Sequence, residues 1–292
     1  MRIGIFGSNY QAGKQNSIKS LFDFLQSNKI EVWVESGFYN YLSRQFAFTP
    51  SIAGSIELDD TLSLDMIISL GGDGTFLRTA AWVGRQNIPI LGINTGRLGF
   101  LADTSTEEME TTLKEVLNEK YLIEERSLLE LKTGFPFRGE YNYALNEVAI
   151  LKRDTSSMIT IRTYLNDEFL NDYLADGLLI ATPTGSTAYS MSVNGPIIIP
   201  QANNFVLSPV APHSLNVRPL VIPEDYKIRL KVESRSQNFL ISLDGRSEVF
   251  PSGGELHVQK ADFTIKIIKR YEQNFYETLR EKLLWGTDVR EK

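Results

Sequence analysis

The sequence predicts a two-domain α/β protein: an α/β N-terminal domain with a parallel sheet, a mostly β, sandwich-like domain after it, and a C-terminal helix returning to the first domain. Three observations carry this. Buried-type apolar runs alternate with helical stripes up to about residue 120. Beyond it the stripes stop, and short alternating segments separated by turn residues take over. One further helical stripe closes the chain. The implied division is 1–122 and 272–292 for the α/β domain and 123–271 for the β-rich domain.

Residues 2–6 read as a strand ending at Gly7, and Ile18, Leu21, Phe22 and Leu25 then form a helical stripe. Ile30, Val32 and Val34 alternate as a second strand. Residues 66–70 form a continuous apolar run bordered by glycine, the pattern of a strand covered on both faces of a parallel sheet. A helix is expected over 75–83 and another buried strand over 89–93. Met109, Leu113, Val116 and Leu117 make a further helix, opened by a capping box of Ser105 and Glu108. Residues 128–131, 143–151, 158–165, 228–232, 239–243 and 263–268 read as strands, with turns at Asn166-Asp167 and Asp244-Gly245. Residues 274–285 read as the last helix, with Leu279, Leu283 and Leu284 on one side.

Composition excludes several classes. There is no cysteine, so neither disulfides nor thiolate chemistry can operate. The two histidines, His213 and His257, are too far apart in sequence to suggest a zinc site. A net charge of −6 argues against nucleic acid and anionic membranes as partners. The apolar run at the N-terminus is too short for a signal peptide, and no stretch suits a membrane span, so a cytoplasmic location is expected.

The strongest local signal is Gly71-Gly72-Asp73-Gly74-Thr75, where a buried strand passes into a helix. Glycines there permit positive φ or close approach of a ligand, and the amides at a helix start attract phosphate. Asp73 is anomalous, because a carboxylate repels phosphate unless it does chemistry, orients a hydroxyl or holds a metal. The plainer reading makes it a helix cap. Leu77 stands where a dinucleotide-binding Gly-x-Gly-x-x-Gly needs its third glycine. The loop from Gly7 to Lys14 fails as a P-loop, because its first glycine is misplaced and Gln15 replaces the metal-binding hydroxyl. Two further segments stand out: Asn146-Glu147 within an apolar strand, and the hydroxyl-rich run from Thr182 to Ser190. Taken alone, the first suits an edge strand and the second a Ser/Thr-rich turn; hydroxyls and a tyrosine ring also suit a nucleotide.

These segments, with Asp176-Gly177, the stretch from Asn94 to Leu101 and the tail from Leu279 to Gly286, occur in the order seen in the NAD kinase family, which the sequence resembles over nearly its whole length. The resemblance implies transfer of the terminal phosphoryl group of ATP to the 2′-hydroxyl of NAD's adenosine ribose, with the site in a cleft between the domains. It implies that Asp73 is the catalytic base and that Gly71, Gly72, Gly74 and Thr75 form the phosphate turn. Asp73, Gly74, Arg78, Asn146, Glu147, Asp176, Thr184, Thr187, Ala188, Tyr189, Ser190, Met191, Ser192 and Ala211 are implied to bind NAD. In many relatives the match of Asp176 reaches an NAD site across a subunit interface, so a homodimer or homotetramer is expected. Leu174 stands where many bacterial relatives carry a basic residue. With no carboxylate cluster in the sequence, a divalent cation, Mg²⁺, is expected to arrive with the nucleotide. Two rivals share parts of the pattern. A lipid kinase would carry the same glycine–aspartate turn but needs a basic membrane-facing segment, and a non-catalytic NAD(P) sensor gains nothing from Asp73.

Overall fold

A computed structural model describes residues 1–9, 13–135, 137, 141–153 and 157–286. In chain order the first elements are β1 (Arg2–Gly7), α1 (Gln15–Ser27), β2 (Glu31–Glu35), α2 (Ser36–Phe46), β3 (Gly54–Ile56), β4 (Met66–Gly71), α3 (Asp73–Val83), β5 (Ile90–Asn94), β6 (Thr104–Ser105) and α4 (Met109–Leu117). Then come β7 (Leu122–Thr133), β8 (Tyr143–Ala144), β9 (Glu147–Lys152), β10 (Ile159–Leu165), β11 (Glu168–Ala175), β12 (Gly177–Ala181), the short helix α5 (Tyr189–Ser192) and β13 (Asn204–Val210). The chain ends with β14 (Leu220–Pro223), β15 (Ile228–Glu233), β16 (Asn238–Leu243), β17 (Arg246–Pro251), β18 (Glu255–Lys269) and α6 (Phe275–Leu283).

Two compact units form, one of residues 1–125 with 265–292 and one of residues 126–264. In the first, β1, β2, β3, β4 and β5 pair in parallel in the order β3-β2-β1-β4-β5, and Ile267 of β18 adds beside Ile90. The apolar runs explain the order of burial: β4 and β5 are buried along their whole length. Ile18, Leu21, Phe22 and Leu25 of α1 pack with Met109, Leu113 and Val116 of α4 in the core of this unit. The capping box before α4 forms, the Glu108 amide donating to Ser105 Oγ at 3.3 Å and the Ser105 amide to Glu108 Oε2 at 3.1 Å.

The second unit has a six-stranded antiparallel sheet, β14-β13-β12-β9-β16-β17, and a second antiparallel run of β11-β10-β15 with the start of β18. Both contribute to one core that includes Val148, Ile150, Ile161, Leu178, Phe205, Leu230 and Phe239. Both expected turns close tight hairpins with positive φ, at Asn166 (48°) and Asp167 (67°), and at Asp244 (50°) and Gly245 (83°).

The last helix differs from its expected span. Asn274 caps it by accepting the Glu277 amide, and Leu279 is buried. Leu284 does not join that face: it ends the helix at φ 53° and is exposed.

Candidate active site

The first group of residues gathers where the strand order of the parallel sheet reverses, between β1 and β4. Carboxyl ends of strands at such a point diverge and leave a crevice. A cavity of about 330 Å³ lies there, lined by Ser8, Asn9, Gly72, Gly74, Thr75 and Arg78. A Cβ on Gly72 or Gly74 would meet nothing within 4 Å, so close approach from outside is the use of these glycines. Positive φ is not, since neither Gly71, Gly72 nor Gly74 adopts it. Arg78 is held over the end of β1 by donating from Nη2 to the Gly7 carbonyl at 3.0 Å. Amides of the first turn of α3 and this guanidinium make the cavity attractive to phosphate. Of the loop from Gly7 to Lys14, Tyr10, Gln11 and Ala12 lie outside the described residues.

Asp73 does not cap its helix. Gly72 occupies the cap position, and the carboxylate accepts from a different segment. Oδ1 takes the amides of Leu101 and Ala102, each at 3.1 Å, and Oδ2 takes the Phe100 amide at 3.1 Å and Lys282 Nζ at 3.3 Å. The turn that presents these amides is closed by the Gly99 amide on the Ala102 carbonyl at 3.1 Å. Asn94 braces it, donating to the carbonyls of Arg97 at 2.5 Å and Ala102 at 3.2 Å. Gly99 is required for the approach, because a Cβ there would overlap Asp73 Oδ1. The stretch from Asn94 to Leu101 thus becomes a cradle for one carboxylate.

The second group lies in the β unit. Asp244, in the hairpin turn between β16 and β17, accepts the amides of Leu145, Asn146 and Glu147 at 2.7, 2.8 and 3.1 Å. Thr182 Oγ1 donates to the Leu145 carbonyl at 2.6 Å and accepts the Gly185 amide at 3.1 Å. Gly185 packs so closely that a Cβ would overlap the Asn146 carbonyl. The run from Thr182 is thereby fixed on the Asn146-Glu147 segment. Within it Ser186 and Ser190 spend their hydroxyls internally, on Pro183 and Ser208. Ser190 is fully buried, so its contribution is to tie the turn. Tyr189 is 38% exposed, which leaves its ring open to stack on a flat ligand. Ser192 is also exposed, Thr187, Ala188 and Met191 are partly so, and Thr184 is buried.

Glu147 is nearly buried, and its Oε2 has no partner among the described residues. Burial, with the Asp244 carboxylate nearby, pushes its pKa up to about 8, against the Tyr189 amide, which favours the charged form. Burial raises Asp244 as well, opposed by its three amide donors and Arg246. Asp244 has the donors, so the proton the pair retains near neutrality sits on Glu147.

Asp176 and Ala211 lie at the other end of these strands. Gly177 pairs with Leu151 and Val210, whereas Ala181 pairs with Glu147. Five residues of strand, about 17 Å, therefore separate Asp176 from the Glu147 group. Asp176 is paired with Lys152 Nζ at 2.7 Å. Leu174 is 44% exposed and lines a cavity of about 710 Å³ with Met158 and Arg235, which holds none of the site residues.

The sequence marks Asp244 only as a turn residue and gives Lys282 no role. A carboxylate at a hairpin turn carries no local mark of what it will reach. No group of three or more Asp, Glu or His among the described residues is arranged to hold a metal. No helix among them is long and apolar enough to cross a membrane.

Comparison with known proteins gives one answer. Residues 3–121 match the family described as ATP-NAD kinase N-terminal domain, and residues 145–270 that described as ATP-NAD kinase C-terminal domain. An NAD kinase of Bacteroides fragilis is 51% identical over 290 residues, covering 99% of this chain and 100% of its own. Those of Porphyromonas gingivalis and Cytophaga hutchinsonii are 48% and 44% identical, each over 99% of this chain and 99% and 100% of their own. Among solved structures, an NAD kinase from Archaeoglobus fulgidus in complex with ATP superposes with a TM-score of 0.74 at 26% identity, covering 98% of both chains. A yeast NADH kinase complexed with NADH superposes at 0.90 with 24% identity, covering 100% of this chain and 89% of its own, a likeness of fold.

Proposed function

The chain belongs to the NAD kinase family and phosphorylates NAD to NADP, and we propose that Asp73 is the base of this transfer, with ATP as donor. The observation that carries the proposal is a carboxylate fixed by three amides beside a glycine turn open to phosphate. Such a turn alone would make a phosphate binder. A rigidly aimed carboxylate beside it adds a proton acceptor for an attacking hydroxyl.

Phosphoryl transfer asks a protein mainly for positioning and charge stabilisation. In this reading Gly71, Gly72, Gly74, Thr75 and Arg78 hold phosphates through backbone amides and one guanidinium. Asn146, Glu147, Thr184, Thr187, Ala188, Met191 and Ser192 hold NAD, with Tyr189 stacked on a ring, and Ser190 tying the turn. The 2′-hydroxyl oxygen attacks the terminal phosphorus, its proton passes to Asp73, and the bond to the ADP oxygen breaks with its electron pair leaving on ADP. The complex of the Archaeoglobus relative with ATP supports the choice of donor. Mg²⁺ is proposed to enter as part of the donor, where it would offset the charge of the phosphates; no group of three or more carboxylates among the described residues is arranged to hold it.

Asp176 and Ala211 are proposed to serve the NAD site of a second copy, in a homodimer or homotetramer. Their place at the far end of the strands from Glu147 supports this, as do exposed apolar side chains such as Phe169, Leu174 and Leu215 on the β unit. The proposed location is the cytoplasm. The proposal is tested with purified protein, NAD and ATP, with Mg²⁺ or with excess chelator. NADP forms only with the cation. Equal turnover under chelator overturns the metal assignment, and no NADP under either condition overturns the whole reading.

A further inference from the structure

Asp73 meets four donors, and a carboxylate has about four lone-pair positions. A hydroxyl that is to give its proton to Asp73 must therefore displace one of them. The three amides belong to the turn of residues 99–102, which is closed on itself and braced by Asn94. They cannot leave without unfolding that turn. The fourth donor is different in kind. Lys282 comes from α6 on a flexible stem, its side chain is 30% exposed, and its ammonium rests 4.4 Å from the centre of the Phe100 ring. An ammonium on a long stem can change partners by rotation alone.

We propose that Lys282 is a positioning residue for phosphoryl transfer: the exchangeable donor that holds Asp73 Oδ2 and yields it to the acceptor hydroxyl. The inference rests on the reading of Asp73 as base. It gives the C-terminal helix a part in the reaction. It also answers an electrostatic difficulty, since a fixed carboxylate in an acidic chain faces two polyanionic substrates. Lys282 neutralises that carboxylate before the substrates arrive. Once displaced, it stays tethered near the carboxylate and balances the charge gathered there. Lys282 neither gives nor takes a proton in this account.

The test is a kinetic cycle on the full chain with NAD and MgATP: wild type, Lys282→Met, Lys282→Arg, Asp73→Asn and the Asp73→Asn/Lys282→Met double variant, each with its thermal midpoint. Lys282→Met keeps the stem and removes the charge. It should lower kcat roughly tenfold to a hundredfold, below the range for a fully sequestered donor because Lys282 is partly exposed. KM for NAD should change less than about threefold, the midpoint should hold, and Lys282→Arg should recover at least tenfold of any loss larger than that. In the Asp73→Asn background the same change should alter kcat less than about threefold, because its partner charge is gone. Wild-type kcat in Lys282→Met overturns the inference, as does an equal loss in both backgrounds or no recovery with arginine. Full turnover in Asp73→Asn overturns instead the assignment of the base.

Discussion

Replacing Asp73 by asparagine removes the charge and the basicity while keeping the shape. Were Asp73 only a helix cap, asparagine would serve as well and the change would be silent. The geometry predicts otherwise on two counts. An asparagine oxygen placed at Oδ1 keeps the amides of Leu101 and Ala102. Its NH₂ group then faces the Phe100 amide and the Lys282 ammonium, donor against donor. One stranded amide and one lost ionic contact at a partly exposed site cost about 1–2 kcal/mol. For a unit of this size the thermal midpoint should fall by about 2–8 °C. Turnover should fall by about 10²–10⁴, the usual contribution of a general base. The assay is NADP formation at a temperature well below the variant's midpoint, with that midpoint measured on the same preparation. Turnover within threefold of wild type would remove Asp73 from the mechanism. An unchanged midpoint would show that the turn of residues 99–102 does not depend on the carboxylate.

Glu147→Ala and Tyr189→Ala should each weaken NAD use by roughly 1–3 kcal/mol in kcat/KM while leaving KM for ATP within a factor of two, and equal effects on both substrates would misplace the acceptor site. Glu147 has a folded pKa of about 8, above its ordinary value of 4.5. Above 4.5 the unfolded chain has already released this proton and the folded chain has not, so its contribution to stability is full below 4.5, is lost as pH rises, and is gone above about 8. Glu147→Gln should remove this loss, on the order of 4 kcal/mol across the window, so melting curves of variant and wild type should diverge between pH 5 and 8 (roughly the window set by the two pKa values), and parallel curves would refute it. If Asp176 serves a second copy's site, sedimentation should show a dimer or tetramer at assay concentrations, and Asp176→Ala should impair NAD use; a fully active monomer would refute the assembly.

Much of the α/β unit was legible because its signals are local. Covered parallel strands must be apolar throughout, as residues 66–70 are, and a one-sided helix must repeat its apolar positions, as Ile18, Leu21, Phe22 and Leu25 do. Helix α2 leaves no stripe in the sequence, because only Phe38 and Leu42 of its eleven residues are buried, and its start depends on Glu35 accepting the amides of Gly37 and Phe38. The end of β18 looked like one more strand of the β domain. Its residue Ile267 instead pairs with Ile90, an association across the chain that no periodicity encodes. The same distinction runs through the site. The glycine turn and the Thr182 run are continuous in sequence and could be found. The partners of Asp73, 27 to 29 and 209 residues away, could not. Nor could the three amides that make Asp244 the anchor of Asn146 and Glu147.

The destination of the phosphoryl group is the most direct test of the proposed reaction. Purified protein is incubated with NAD and ATP labelled in its terminal phosphate, in the presence of Mg²⁺, and the labelled product is located by phosphorus NMR. The label should appear on the 2′-oxygen of the adenosine ribose, with one ADP formed for each NADP. Label released as free phosphate, or carried on any other oxygen of the dinucleotide, would contradict the account.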